Sequence, residues 1–169
     1  MPPEAAAELA LLRTIVRGAE DRPGLLQLLP RLQRAHRKHL VRREHWTQGE
    51  LARHPDPREL TRSWRRPGNM DQHGRLLRVF DAQRVLSEDV HENRVVRHTV
   101  IRVRERLAAA APHAPEAADL LRDLDVAVSQ APFLRDVGAL QGRPTEPTAT
   151  LSSDPLYRSV FRSLLELDP

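Results

Sequence analysis

The stretch that decides the fold is residues 92–111, ENRVVRHTVIRVRERLAAAA. Its apolar residues recur at helical spacing, while arginines occupy the other faces, which predicts a long amphipathic helix packed on a core. Asp89 and Glu92 stand three residues apart just before it, the spacing of a capping box. We therefore expect Asp89 to cap this helix and Glu92 to bond back to the residue at the cap. The apolar stripe consists of Val96, Val100, Val103 and Leu107.

Two further helices are predicted at the N-terminus. Pro2-Pro3 would start the first, because proline fits a first turn whose N–H groups are unpaired anyway, and Gly18 would stop it. The second would begin near Pro23. Pro30 would kink or restart it, because the proline ring clashes with the preceding turn.

Two more helices are predicted toward the C-terminus. One covers about residues 115–130, and the other begins at Pro155 with Asp154 as its cap. A loop rich in proline, threonine and glycine occupies residues 138–153 between them. Together these patterns predict a mainly α fold, a multi-helix bundle.

The middle of the chain has a less regular pattern. We expect residues 31–46, RLQRAHRKHLVRREHW, to form a heavily charged helix, with short helices at 49–54 and 57–65. Residues 76–86 contain β-branched and aromatic residues in a short run, typical of a strand or a hairpin arm. The predicted domains are a basic helical N-terminal region at 1–75 and a helical domain at 76–169.

The composition excludes several classes of protein. There is no cysteine, which rules out a disulfide framework, a thiolate nucleophile and any cysteine-ligated metal. No stretch approaches the roughly 18 apolar residues of a membrane span, so we expect no membrane partner. The N-terminus has acidic residues where a signal peptide would be basic. These features predict a cytoplasmic protein.

Charge is unevenly distributed along the chain. Residues 1–110 contain 22 basic and 14 acidic side chains, whereas residues 111–169 contain 5 and 9. Most of the excess lies in residues 31–66, with 11 basic and 4 acidic side chains. Such asymmetry favours an anionic partner for the front half, nucleic acid first. The basic residues are 26 arginines and one lysine, a bias that a GC-rich coding sequence would also produce.

The basic stretch also contains both tryptophans of the chain. Arginine and tryptophan together engage phosphates and stack on bases, so we predict DNA binding by this region. The alternatives are a surface that faces a protein partner and a surface that serves solubility. The candidate DNA-binding residues are Arg34, Arg37, Lys38, Arg42, Arg43, Trp46, Arg62, Trp64, Arg65 and Arg66.

No pattern of a complete catalytic site is present, so we predict no catalytic residues, no metal and no cofactor. His36 and His39 would share a helical face, but the arginines around them would repel a cation. The serines lack a glycine elbow, and no phosphate-binding glycine loop occurs. A PD-(D/E)XK nuclease needs an acid-x-lysine pair for Mg²⁺, yet Lys38 follows His36 at that spacing.

Two stretches carry a family resemblance. SEDVHENRVVRHTVIRVRERL (87–107) resembles a helix start of the pattern D-x-x-E-N-R-x-x-K, with Arg97 in place of the lysine. PFLRDVG (132–138), followed by LSSDPLYRSVFRSLLEL (151–167), resembles a helix of the pattern L-x-x-D-P-x-Y-R. In this order they are similar to the DUF2357-type helical region that precedes the PD-(D/E)XK nuclease in McrC-like restriction and defence proteins.

The resemblance implies a helical adaptor domain at 76–169, working with a nuclease lobe that cuts DNA with Mg²⁺ and often with an AAA+ motor subunit. The sequence up to Pro169 does not include that lobe. The chain is then either a portion of a longer or split nuclease, or a scaffold without cutting activity. On this basis we expect a non-catalytic adaptor or DNA-binding module of a defence nuclease system. The alternative is a protein-interaction module with no nucleic-acid role.

The resemblance also singles out six positions, for which we weigh two roles. They serve either as scaffold, pinning helices to each other and to the loop before the last helix, or as direct support for DNA binding or catalysis. The positions are Asp89, Glu92, Asn93, Arg94, Tyr157 and Arg158.

Overall fold

A computed structural model describes residues 2–53, 55, 57–142 and 147–167, apart from the side chains of residues 42–44 and 82–83. The chain divides into two compact units. The helical unit comprises Met1–Lys38 and Glu88–Pro169, and the hairpin unit, His39–Ser87, is inserted between these two segments. The domain boundary predicted at residues 75 and 76 falls inside the hairpin unit.

Helices dominate the described part of the chain, which confirms the mainly α fold. The α-helices are α1 (Pro3–Arg17), α2 (Leu25–Ala35), α3 (Pro57–Arg65), α4 (His91–Ala110), α5 (Pro115–Ser129), α6 (Ala149–Ser153) and α7 (Pro155–Leu167). The strands form two antiparallel pairs, β1 (Gly18–Ala19) with β2 (Arg22–Pro23) and β3 (His39–Gln48) with β4 (Arg78–Ser87).

Helix α4 is the central element of the helical unit, and it packs against α1, α5 and α7. The predicted stripe is confirmed, because all four of its residues are at most 3% exposed. Burial of such side chains stabilises a fold by about 1.5–3 kcal/mol each. The other helices contribute leucine-rich faces to the same core, with Leu12, Ile15, Leu25, Leu28, Leu29, Leu32, Leu120, Leu124, Tyr157, Val160, Leu164 and Leu167.

Most predicted helix ends are confirmed. Gly18 follows α1 with φ 94°, a conformation that glycine adopts without steric cost. Asp154 precedes α7, and its Oδ1 accepts a hydrogen bond of 2.9 Å from the N–H of Leu156. The second helix, predicted to begin near Pro23, begins two residues later at Leu25, because Pro23 lies in β2. Helix α2 continues past Pro30 as one helix.

The predicted helix at 31–46 is wrong over its second half. Helix α2 ends at Ala35, and residues 39–48 form β3, which pairs with β4 over ten residues. Arginine and glutamate favour a helix, but the β-branched and aromatic residues of both segments fit a pleated surface. Pairing of the two strands also satisfies the backbone N–H and C=O groups of each. The strand or hairpin arm predicted at 76–86 is confirmed as β4.

Between the strands, the hairpin unit contains a 3₁₀ turn at Gly49–Leu51, where a helix at 49–54 was predicted, and α3, as predicted at 57–65. Asn69, 5% exposed, joins α3 to β4. Its Nδ2 donates to the carbonyls of Ser63 (2.8 Å) and Arg78 (2.7 Å), and its Oδ1 accepts from the N–H of Arg78 (2.9 Å). One buried amide thus fixes the segment that returns the chain to β4.

None of the helices in the described part of the chain is long and apolar enough to cross a bilayer.

Gly24 is the position where the turn between α1 and α2 has no room for a side chain. A Cβ there would overlap the backbone of Val16 and Gly18. We expect Gly24→Ala to lower the free energy of unfolding by about 2 kcal/mol or more, measured by urea denaturation, because backbone atoms must move to admit the methyl group.

Gly74→Ala is the matched control. Gly74 has φ 77° and open space around it, so the same substitution meets only the backbone strain of about 1 kcal/mol. Equal destabilisation by the two variants would contradict the packing argument.

Candidate functional site

Asn93 is fully buried at the start of α4 and holds the chain at two distant points. Its Nδ2 donates to the carbonyl of Arg37 (2.9 Å) and to the carbonyl of Glu88 (2.7 Å). Arg37 lies next to the residue at which the chain leaves the helical unit, and Glu88 is where it returns. The side-chain amide of Asn93 therefore fixes both the segment at which the chain leaves the helical unit and the segment at which it returns.

Tyr157 of α7 completes this arrangement. Its hydroxyl donates to Asn93 Oδ1 (2.6 Å) and accepts from the N–H of Arg37 (2.8 Å). Burial raises the pKa of Tyr157 to about 12. We call these groups, the side chains of Asn93 and Tyr157 with the backbone of Arg37 and Glu88, the Asn93–Tyr157 clamp. Every polar group in it that faces the interior is bonded, which is what a buried polar cluster requires.

Asp89 does not cap α4, so the predicted capping box is wrong. The residue at the cap is Val90, which provides no side-chain cap bond. Asp89 instead forms a bidentate pair with Arg94 (2.7 and 2.8 Å) and accepts from the N–H of Gly138 (2.8 Å). The guanidinium gives the Asp89 carboxylate two charge-assisted bonds to a cation, whereas a cap would give it a bond to a neutral N–H group, which explains the choice. The contact joins α4 to the loop after α5.

Glu92 also turns away from the predicted cap. Its Oε1 accepts from Thr148 Oγ1 (3.0 Å), and Thr148 in turn caps α6 by accepting from the N–H of Leu151 (3.3 Å). Glu92 thus links the start of α4 to the start of α6.

His36, Lys38 and Glu88 form a neighbouring cluster that the sequence pattern did not predict. His36 Nε2 lies 2.9 Å from Glu88 Oε1, and Lys38 Nζ lies 3.0 Å from the same oxygen. Lys38 first, and then His36, lower the pKa of Glu88. The His36 ring also stacks on Phe133 at 4.6 Å. Because α2 ends at Ala35, His36 and His39 do not share a helical face.

The two family motifs therefore meet in the structure. Asp89, Glu92, Asn93, Arg94 and Tyr157 all contact other segments of the helical unit, whereas the side chain of Arg158 is exposed. The contacts given above join the protein chain to itself, as a scaffold would. Phe133, which contacts His36, and Gly138, which contacts Asp89, belong to the PFLRDVG motif. That motif was therefore the signal in the sequence for these two contacts.

The ten candidate DNA-binding residues divide between the units. Arg34, Arg37 and Lys38 are exposed residues of the helical unit, and the remaining seven belong to the hairpin unit. Arg42 and Arg43 lie in β3, but their side chains fall outside the described part of the chain. The charged helix predicted at 31–46 is thus divided between α2 of the helical unit and β3 of the hairpin unit.

In the hairpin unit, the structure brings Trp46 and Arg66 together. The guanidinium carbon of Arg66 lies 4.9 Å from the centre of the Trp46 ring, a cation–π contact, and Phe80 meets the same indole edge-on at 5.6 Å. Arg65 and Trp64 are exposed at the end of α3, where Trp64 keeps 57% of its surface accessible. Arg62, on the same helix, pairs with Glu59 at 3.1 Å.

Apolar surface is also concentrated in the hairpin unit. Nine large apolar side chains are exposed in the described residues, and seven of them belong to this unit. Exposed large apolar side chains that are concentrated in one unit make that unit the better candidate for an interaction surface. The seven are Leu40, Trp46, Leu51, Trp64, Met70, Leu77 and Leu86.

The net charge of the protein resides in the hairpin unit as well. Its sequence contains 10 arginines and 6 acidic residues, whereas the helical unit contains 17 basic and 17 acidic residues. In the helical unit, at least nine arginines form ion pairs within the described residues, Arg17 with Asp123 and Arg104 with Asp125 among them. The acidic residues after position 110 thus serve largely to neutralise arginines of the bundle.

No group of three or more His, Asp or Glu side chains converges on a metal-sized site in the described ranges.

Removing the Tyr157 hydroxyl tests the clamp. We expect Tyr157→Phe to lower the free energy of unfolding by about 2–3 kcal/mol, because Asn93 Oδ1 and the N–H of Arg37 lose a buried partner. The control is Ser159→Ala on the same helix, whose hydroxyl donates only to the carbonyl of Pro155 at the surface and should cost less than about 0.5 kcal/mol. Similar losses in urea denaturation would refute the clamp's contribution.

Ionisation of Tyr157, the single tyrosine, gives an independent measurement. Tyrosinate absorbance should appear with a midpoint of about 12 in the folded protein and near the usual pKa of 10.0 in denaturant. Because the folded pKa is raised, the stabilisation is present below pH 10.0 and is lost as pH rises through about 12. A folded midpoint at the denatured value would show an accessible phenol.

Comparison with known proteins identifies the family. No curated protein and no solved structure gave a significant match to the chain. Residues 2–164 match a family described as a domain of unknown function, DUF2357, so the match includes all of the hairpin unit, most of the helical unit and all but the last three residues of the two motifs. The chain is therefore a member of the DUF2357 family.

Proposed function

We propose that the chain is a non-catalytic adaptor module of a McrC-like bacterial defence nuclease system, and that it contacts DNA through the hairpin unit. Another domain or subunit, a nuclease lobe or an AAA+ motor, would then supply the cutting or the translocation. The proposal places the protein in the cytoplasm. Its link to McrC-like proteins rests on the ordered pair of motifs at 87–107 and 132–167.

The observation that carries DNA binding is the division of charge. The helical unit is balanced, whereas the hairpin unit has four more basic than acidic residues in a chain segment of His39–Ser87. The net positive charge of the hairpin unit attracts a phosphate backbone. The helical unit has no net charge, so it adds no net repulsion. All ten basic residues of the hairpin unit are arginines, and an arginine binds phosphate through two parallel N–H groups.

The exposed side chains of the hairpin unit add the second element of nucleic-acid chemistry. Trp46 and Trp64 present indole surface among exposed arginines. Arginine contacts to phosphates position a protein on DNA, and aromatic rings bind base faces.

The alternative is a protein-interaction module with no nucleic-acid role. The seven exposed apolar side chains of the hairpin unit favour it, because leucine and methionine contribute little to phosphate binding and much to the core of a protein interface. Tryptophan and arginine are also common at the energetic centre of such interfaces. Both candidates therefore use the same unit, and DNA binding distinguishes them.

Salt dependence of DNA binding tests the proposal. Fluorescence anisotropy with labelled single-stranded and duplex DNA should show affinity that falls steeply between low and physiological salt. The double variant Arg62→Ala/Arg65→Ala should reduce the slope of log affinity against log salt by about 1.4–1.8, because each lost phosphate contact removes about 0.7–0.9.

The matched control is Arg13→Ala/Arg104→Ala, which removes two ion-paired positive charges from the helical unit, as Arg62→Ala removes one from its pair with Glu59 in the hairpin unit. We expect its slope to equal that of the wild type. Affinity that ignores salt, or equal effects of the two double variants, would disprove phosphate contact by the hairpin unit. No binding to any DNA at low salt would favour the protein-interaction alternative.

A further inference from the structure

We propose that the β3–β4 face bearing Trp46 and Phe80 binds unpaired bases, so that the substrate of the hairpin unit is single-stranded DNA. This inference rests on the proposed function and narrows its substrate class.

The strand register defines the face. Trp46 lies directly opposite Phe80, and Leu40 lies directly opposite Leu86. Side chains alternate between the two faces of a strand, and these positions are separated by even numbers of residues, so all four project from one face. Its ends remain accessible, with Leu40 63%, Leu86 65% and Trp46 39% exposed.

Three side chains are in contact on this face. The Phe80 ring meets the Trp46 ring edge-on, with an angle of 72° between the ring planes. The guanidinium carbon of Arg66, which follows α3 in the chain, lies 4.9 Å from the centre of the indole. The indole is therefore held in one position while part of its surface stays open. A rigid aromatic ring beside a guanidinium plane is a surface on which a flat base can stack at small entropic cost.

Arginines flank the aromatic pair on the same face. Arg78 and Arg84 are exposed and occupy strand positions two before and four after Phe80. At the rise of a strand, these positions lie about 7 Å and about 13 Å along it from Phe80. They are placed to meet the phosphates on either side of a base that stacks at Trp46. Charge complementarity thus favours a polyanion for the described part of this face.

The geometry favours a single strand over a duplex. In a duplex both faces of each base are covered by neighbouring base pairs, and exposing one costs a few kcal/mol of unstacking. A single strand offers its base faces without that cost, and base–aromatic stacking then contributes about 1–3 kcal/mol for each base. A duplex could use the arginines but not the indole.

Tryptophan fluorescence tests the inference directly, because the protein contains two tryptophans. In the Trp64→Phe variant, Trp46 is the sole indole. Addition of a thymidine oligonucleotide of about 16 nucleotides should quench its emission in proportion to binding. A blunt duplex of the same length, with binding followed independently by anisotropy, should leave the emission unchanged.

Affinity gives the second arm. Trp46→Ala should weaken binding of the single strand about tenfold or more and binding of the duplex by much less. Leu165→Ala is the control, since it removes an exposed apolar side chain of the helical unit, outside the face, and should leave the preference for a single strand intact. Circular dichroism checks that each variant is folded, and the quenching measurement needs no variant at Trp46.

The outcomes separate the two proposals. Quenching by the single strand alone supports the inference. Salt-dependent binding of single strand and duplex with equal affinity and no quenching overturns it and leaves the proposed function standing. Absence of binding to either DNA overturns both.

Discussion

The buried amide of Asn93 is the constraint on which the rest of the helical unit depends. It sits at the start of the central helix α4 and has no contact with water, so each of its hydrogen-bonding groups must find a partner in the protein. Its two N–H groups take the carbonyls of Arg37 and Glu88, and its oxygen takes the Tyr157 hydroxyl. These partners come from the segment after α2, the segment before α4 and helix α7. Loss of any one leaves a buried group unpaired, so the geometry of all four is fixed together.

Around this clamp, ion pairs tie the remaining connections to the bundle. Arg94 with Asp89 holds the loop at Gly138, and Arg22 with Glu166 holds the short β1–β2 turn to α7 through two bonds of 2.7 Å. Arg22 is also the main cause of the lowered pKa of Glu166. Both pairs are bidentate and partly buried, so each contributes more than an exposed surface pair does. Together with the other ion pairs of the bundle they balance the charge of the helical unit, so the net positive charge lies in the hairpin unit.

This division gives the architecture its functional logic. Many arginines of the helical unit form ion pairs within that unit. The hairpin unit has exposed arginine, tryptophan and leucine side chains. The proposed binding role depends on this division. The family residues Asn93 and Tyr157 belong to the helical unit, and the candidate contact residues from Trp46 to Arg66 belong to the hairpin unit.

Sequence periodicity by itself determined the helices α1, α4, α5 and α7, but not α6, which lies in the segment predicted as a loop. The stripe from Val96 to Leu107, the stop at Gly18 and the start at Asp154-Pro155 follow from local chemistry, because helical bonds and caps join residues at most four apart. The sequence also placed the excess of arginine in the middle of the chain. Tertiary structure alone decided that residues 39–48 form a strand, because their partner lies beyond a long excursion and local propensity favoured a helix. It also decided the fate of Asp89 and Glu92, which look like caps until Arg94, Gly138 and Thr148 compete for them. Asn93 and Tyr157 meet across 64 residues of sequence, and only the packing of α4 on α7 brings such distant groups within hydrogen-bonding distance.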